Sequence, residues 1–391
     1  MNTEKLLKDK KLYVIFSITL IAVMGVASIT PALPKIAHTL NLTKSQVGLL
    51  ISAFTFPGIF VAPVAGIFAD QWGRKAVLVP SLFIFGLAGF AIFFVHQFHY
   101  IIILRIVQGI GAAPLGSLNA TLIADYFKGK KRPEAMGYNA SVLSLSTATY
   151  PLIGGALAGI AWFYPFIMPL LALPVGLFVI YGIPEPSIER PASFTQYIKA
   201  ISGSIMRKEV IAIFLLSIIT FIILYGALLT YLPFLLHDKF QLDAPKIGVV
   251  FFISSITTAI FATQVGKLTN KFGSITLLKT AFILYALVNL AMPQIPNLYV
   301  FIIPVLIFGT AQALNMPSLQ TVLANLSPDN QRGAFMSLNG MVLRLGQTLG
   351  PLIVGIGYSK TGLNGAYITA AGFALLGLVV LFTMMPKRLE N

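Results

Sequence analysis

The chain has 391 residues, 57% of them hydrophobic and only 10% charged, with 27 basic against 12 acidic side chains, a net charge of +15 and no cysteine. Soluble domains carry about 25% charged residues, so this composition, with a mean hydropathy of +0.86, excludes a water-soluble globule and marks a polytopic membrane protein. Without cysteine there is no disulfide, thiol nucleophile or thiolate metal site, and the basic excess, which in a soluble chain would raise nucleic acid as a partner, falls in short segments between apolar runs, where topology accounts for it.

A helix needs about 20 apolar residues to cross a bilayer. Runs of that kind predict twelve spans, at 12–34, 45–68, 76–96, 98–124, 134–160, 161–183, 209–232, 245–268, 274–292, 297–322, 333–357 and 362–385. Lys5, Lys8, Lys10 and Lys11 precede the first run, but that run is as long as a full span, so it reads as an uncleaved helix rather than a secretory signal. Twenty of the basic residues lie in the termini and in the segments on the same side of the membrane; Lys35, Lys44, Lys239, Lys246 and Lys360 occupy the other side. The positive-inside rule then places both termini in the cytosol, as an even number of spans allows.

Shifted by 200 residues, the chain aligns on itself without a gap: Gly48 meets Gly248, Gly66 meets Gly266, Gly73 meets Gly273, Asn139 meets Asn339, Pro151 meets Pro351 and Gly155 meets Gly355. The expected fold is an all-α membrane protein of 12 transmembrane helices in two six-helix pseudo-symmetric halves, 1–183 and 209–391. A cytosolic linker, 184–208, containing Pro184, Pro186 and Pro191, joins them.

The first span ends Ala27, Ser28, Ile29, Thr30, Pro31, Ala32, Leu33, Pro34, and none of the 12 acids of the chain lies mid-span. Between the second and third spans stands Gly66, Ile67, Phe68, Ala69, Asp70, Gln71, Trp72, Gly73, Arg74, Lys75. Gly66 and Gly73 permit close approach and bending; Asp70 can face a helix N-terminus, and Arg74 and Lys75 mark the cytosolic side. The fourth span carries Arg105, followed by Gln108 and Gly109. A charge at that depth costs about 2.5–3.5 kcal/mol or more and should face the bundle interior. Helical spacing puts Arg105, Gln108, Ala112 and Asn119 on one face, expected to line a central cavity; the other reading is an arginine pinned to backbone carbonyls. Pro151, Gly154 and Gly155 give the fifth span a bend and a smooth face. Arg344 lies inside the eleventh span with Gln347 three residues on, and its repeat counterpart is Ser144, so the fold does not demand it. Gln312 and Asn315 in the tenth span are spaced to point the same way. Two arginines without a mid-span acid favour an anionic, zwitterionic or neutral substrate over a lipophilic cation.

The stretch from Gly66 to Lys75 resembles the signature loop between helices two and three of the major facilitator superfamily: Gly, three residues, Asp, a basic residue, any residue, Gly, then a basic pair. Only Gln71 departs from it. The resemblance implies alternating access to a cavity between the halves. It also implies a charge cluster of Asp70, Arg74 and Asp125, the last at the end of span four, that latches onto the N-terminus of helix eleven when the transporter faces outward. Asn270 stands in the position equivalent to Asp70, so the charged latch belongs to one half. Arg105 with Gln108 and Gly109 resembles the second family motif, whose arginine is linked to proton coupling. Pro151, Gly154 and Gly155 resemble the exporter signature, Gly-Pro, two residues, Gly-Gly, with Tyr150 where Gly is usual. Pro31 to Pro34 resembles the drug:proton antiporter branch, although the acid that many such antiporters carry in helix one is missing.

No cluster of acid, base and nucleophile suggests an enzyme. No phosphate-binding loop suggests ATP, and His38, His96, His99 and His237 have no mutual helical spacing that would hold a metal. The expected protein is a monomeric multi-pass transporter of the inner or plasma membrane. It would need no cofactor, draw on the proton gradient and export small amphipathic compounds, its partners being that substrate, protons and the lipid bilayer, with no nucleic acid. The alternative is a specific exporter or importer of an anionic metabolite or lipid, bound by the buried arginines.

Overall fold

The computed structural model describes residues 6, 9–129, 131–185, 206–328 and 332–385, without the side chains of 332–334 and 337. The crossings are α1 Lys10–Thr39, α2 Lys44–Trp72, α3 Arg74–Phe94, α4 Phe98–Tyr126, α5 Lys131–Ile160, α6 Tyr164–Gly182, α7 Lys208–Phe240, α8 Ala244–Ala262, α9 Ser274–Gln294 and α10 Leu298–Leu326. A short helix, Val265–Phe272, extends α8. The helical stretch Arg332–Met384 breaks at Thr361 and Gly362, which divides it into α11, 332–360, and α12, 363–384. Several crossings overrun the apolar runs that predict them, because Lys and His at their ends can extend a polar head to the interface while the stem stays in lipid. Of the linker 184–208, residues 186–205 lie outside the described residues.

The duplication is visible in how the helices start and stop. Thr43 caps α2 by accepting from Gln46 N, and its equivalent Asp243 caps α8 by accepting from Lys246 N. Gly73 and Gly273 make the turns into α3 and α9 at φ 104° and 78°, a left-handed region open to glycine at little cost. One apolar core lies mostly within residues 6–183 and a second within 210–385.

The halves meet along two seams, α5 against α8 and α2 against α11. Among the described residues these seams close toward the face away from the termini, called the far face below. There Gly155 lies on the Ala244 carbonyl and on Gly248, Gly248 lies on the Pro151 carbonyl, and Gly48 lies on Thr230 and Pro351. Toward the face that carries the termini, Gly66 of α2, Gly137 of α5, Gly266 beyond α8 and Gly340 of α11 all face open space. In the half of α5 nearest the termini, 131–145, only Ala135 is buried. Among the described residues the two halves therefore enclose a cavity that opens at the terminal face.

Candidate functional site

The turn Gly73 brings the N-terminus of α3 against the end of α2. Arg74, buried, pairs with Asp70 one turn back, and its Nε donates to Asp125 Oδ2 of α4 at 3.0 Å. The expected cluster of Asp70, Arg74 and Asp125 is thus assembled within one half. Glu185, just beyond α6, joins it: its carboxylate accepts from Arg74 N at 2.5 Å and from Lys75 N at 3.3 Å, taking up orphan N–H groups at a helix start. Tyr126 donates to the Pro184 carbonyl at 2.5 Å and Lys75 Nζ to the Ile180 carbonyl at 2.8 Å. The sequence reading missed Glu185; the signal was a carboxylate placed where an even span count returns the chain to the same face. The segment the latch is expected to grip starts at Arg332, and residues 329–331 and the side chains of 332–334 lie outside the described residues.

Arg105 does not reach the cavity. It is 1% exposed, and its guanidinium donates to the Leu50 carbonyl of α2 at 3.0 Å, the Gly25 carbonyl of α1 at 2.9 Å and Gln108 Oε1 at 2.8 Å. It also lies 4.4 Å from the centre of the Phe54 ring, where a cation is attracted by the ring face. The cause is local. The α-helical ladder of α1 tightens near Ile29, whose N–H turns to Val26, so the Gly25 carbonyl loses its in-helix donor and Arg105 supplies one. This is the carbonyl-pin reading, and Gln108, fully buried, completes the pin.

The other polar residues of the expected cavity face also lie in networks inside one half. Asn119 donates to Thr19, and Thr19 bonds Asn139 of α5. Thr220 donates to Asn315 Oδ1 at 3.0 Å, and Tyr285 donates to Gln312. Asn119 and Asn315 are buried. Helical periodicity gave their shared face correctly, but that face packs on α1, α5, α7 and α9.

Arg344 differs from these. It is half-buried, its stem lies along Gly58 of α2, and Nη1 donates to Gln347 Oε1 at 3.2 Å. One helical turn farther from the termini, Ser52 Oγ donates to the Thr348 carbonyl at 2.8 Å, and the Thr55 and Thr348 hydroxyls share a hydrogen bond at 3.0 Å. These bonds tie α2 to α11. Arg344 therefore sits at the apex of the cavity, directly under the seal, and it is the sequence-predicted charge that the structure places there.

The seal ends at the far face in an ion pair between Lys44 and Asp238, 194 residues apart. Lys44 also stands 5.4 Å from the Phe234 ring centre and 5.6 Å from that of Tyr358. No local pattern reveals such a tie. The pair is part-exposed, worth about 1 kcal/mol at most, which is roughly fivefold in an opening equilibrium. Because the chain has no cysteine, a single Thr55→Cys reports opening directly. Lys44→Gln should raise its labelling by an impermeant maleimide added at the far face by up to about fivefold; unchanged labelling would show that the pair does not hold the seal.

The glycines of the fifth span divide the work of the seal. A Cβ at Gly154 would overlap the Ser28 carbonyl of α1, in its own half, whereas one at Gly155 would meet the Ala244 carbonyl across the seam. Pro151 lends its carbonyl to the contact with Gly248.

Comparison with known proteins gives the same picture. The chain is 26% identical over 400 residues to the bacillibactin exporter of Bacillus subtilis (strain 168), covering 98% of both chains. It is 26% identical over 392 residues to multidrug resistance protein 2 of the same organism, covering 98% of this chain and 97% of that one. Among solved structures, a mutant of the nucleoside transporter NupG superposes with a TM-score of 0.80 at 14% identity, over 96% of this chain and 100% of that one. The model of the Major Facilitator Superfamily matches residues 15–246 and 235–391, and with the duplicated bundle, its two seams and the charged turn at Asp70, the chain belongs to that superfamily.

Proposed function

We propose that this protein exports small amphipathic compounds from the cytosol, in exchange for protons, by rocking its two halves about the cavity. We assign it to the cell membrane as a multi-pass monomer with both termini cytosolic. The observation that carries the reading is the asymmetric seam, sealed from Gly58 to Lys44 at the far face and open at the terminal face. With the basic residues marking the cytosolic side, this is an inward-facing state ready to load from the cytosol. Export is supported by the two relatives, an exporter and a multidrug resistance protein, and by the glycines of α5 that form the seal. A proton gradient is the energy source that fits a chain with no phosphate-binding loop.

Everted vesicles with an acidic lumen test it. Dyes should accumulate, and a protonophore should abolish the accumulation. Accumulation that survives the protonophore would remove the proton coupling, and none across a broad panel would remove export. In the same vesicles Asp70→Asn should slow transport by at least about tenfold, the scale of a lost coupling between two states, while the amount inserted stays constant. Full transport by that variant would show that the cluster is no latch.

A further inference from the structure

Among the described residues no carboxylate neutralises the charge of Arg344. Its guanidinium has five N–H donors. Among the described residues it donates to Gln347 and makes no ion pair. The described carboxylates stand at helix ends: Asp9, Asp70, Asp125, Glu134, Glu185 and Glu209 near the terminal face, and Asp238 and Asp243 at the far face. From Arg332 to Arg344 is about 18 Å along the helix axis, so this cation lies near mid-depth, where charge without a partner is costly. Its electrostatic neighbour on α7 is Tyr225, a neutral phenol. Arg105 is no competitor, since it is 1% exposed and each of its three nitrogens donates to a carbonyl or to Gln108.

Gly58 lets the Arg344 stem lie flat on α2: a Cβ there would stand 3.0 Å from Cδ and 3.1 Å from Nε. The guanidinium is thus held at the cavity apex with Gln347 on one edge. A ligand suited to this apex has an oxyanion at one end and an apolar body trailing toward the terminal face. Arginine binds a carboxylate through paired N–H donors, which fixes orientation as well as charge.

We propose that Arg344 is the specificity-determining group of the cavity and that the exported amphiphiles carry an oxyanion, a carboxylate in the first instance, which docks on it. This rests on the export reading above and narrows it: a purely cationic compound meets a positive charge at the apex and is a poor substrate. The anion bridges Arg344 of α11 to the surface of α2, so its binding is felt at the seam directly under the Ser52, Thr55 and Thr348 seal.

Two dyes that differ by a single group make the test: rhodamine 110, with a free carboxylate, and its methyl ester, which is cationic. Binding to the purified full-length protein in detergent without anionic lipid is read by fluorescence polarisation and needs no transport. The free acid should bind at least about tenfold tighter than the ester, as expected for one charge-assisted bidentate contact. Arg344→Gln should bring the two within about twofold by weakening the acid alone, and Arg344→Lys should restore part of the preference. An unchanged melting temperature of each variant separates this from misfolding. Equal binding of the two dyes by the wild-type protein, or an acid preference that survives Arg344→Gln, would overturn the proposal. So would displacement of the acid dye by phosphatidylglycerol at equal concentration, which would make a lipid headgroup the occupant. Vesicle uptake of the same dyes then addresses export alone: binding with the expected preference but no uptake would sink the export reading and leave Arg344 as an anion site.

Discussion

Replacing Arg105 by glutamine should destabilise the protein as a whole and impair transport of every substrate alike. The substitution strips the donors from the Gly25 and Leu50 carbonyls, and a buried acceptor left without a partner costs about 1–3 kcal/mol. The cation over Phe54 goes as well, and a lysine cannot reach three acceptors with one fork. The expected result is a lower melting temperature in detergent and less protein in the membrane for both Arg105→Gln and Arg105→Lys, the glutamine variant losing more. An arginine that bound substrate or a coupled proton would behave differently, giving normal stability with a selective loss of transport. That outcome would return Arg105 to the cavity.

The second large effect is expected at Gly155. A side chain there meets the Ala244 carbonyl oxygen at 2.5 Å, and overpacking of this kind costs about 1–3 kcal/mol. The contact crosses the seam and exists only when the far face is sealed. Gly155→Leu therefore penalises one conformation rather than the fold. A cost of about 2–3 kcal/mol shifts the balance toward a far-face-open state by roughly 30- to 150-fold. Labelling of a Thr55→Cys reporter from the far face should rise by that order while the melting temperature changes little, and transport should stop. Gly248→Leu should reproduce the phenotype from the other side, because its Cβ meets the Pro151 carbonyl. Gly154→Leu should instead misfold, since it collides with α1 inside the same half. Unaltered labelling in both Gly155→Leu and Gly248→Leu would mean that the seam is not the gate.

Much of this architecture was legible in the residues. Apolar length gave the crossings, the unbroken shift of 200 residues gave the two halves, and the resemblance of Gly66 to Lys75 to a family signature implied, with Asp125, a cluster that the structure assembles. The limits have one physical origin. Periodicity tells which residues of a helix share a face, but in a bundle both the core of a half and the cavity between halves are interior. Asn119 and Asn315 fall on the first and Arg344 on the second, and nothing in their spacing separates the two. What decides is the third dimension: the Gly25 carbonyl freed by the tightening of α1 draws Arg105 inward, while Gly58 leaves room for Arg344 at the apex. The Lys44–Asp238 tie and the π-helical stretch Ile223–Tyr231 of α7, where Thr230 bonds back to the Tyr225 carbonyl, leave no local mark either.

The two seams are built from equivalent positions: Gly155 of α5 against Gly248 of α8, and Gly355 of α11 beside Ser45, one turn from Gly48 of α2. In a pair of identical six-helix chains these would be one contact written twice, as in an isologous dimer, where a surface has only to complement itself. Fusion into a single polypeptide keeps that backbone two-fold yet frees each copy to differ in what it shows the chamber. Arg344 opposite Ser144 is such a difference, and Asp70 opposite Asn270 is another at the terminal face. A symmetric frame thus carries a lopsided interior: a cargo held between the halves meets the guanidinium of Arg344 on one of them and, at the equivalent position of the other, the hydroxyl of Ser144.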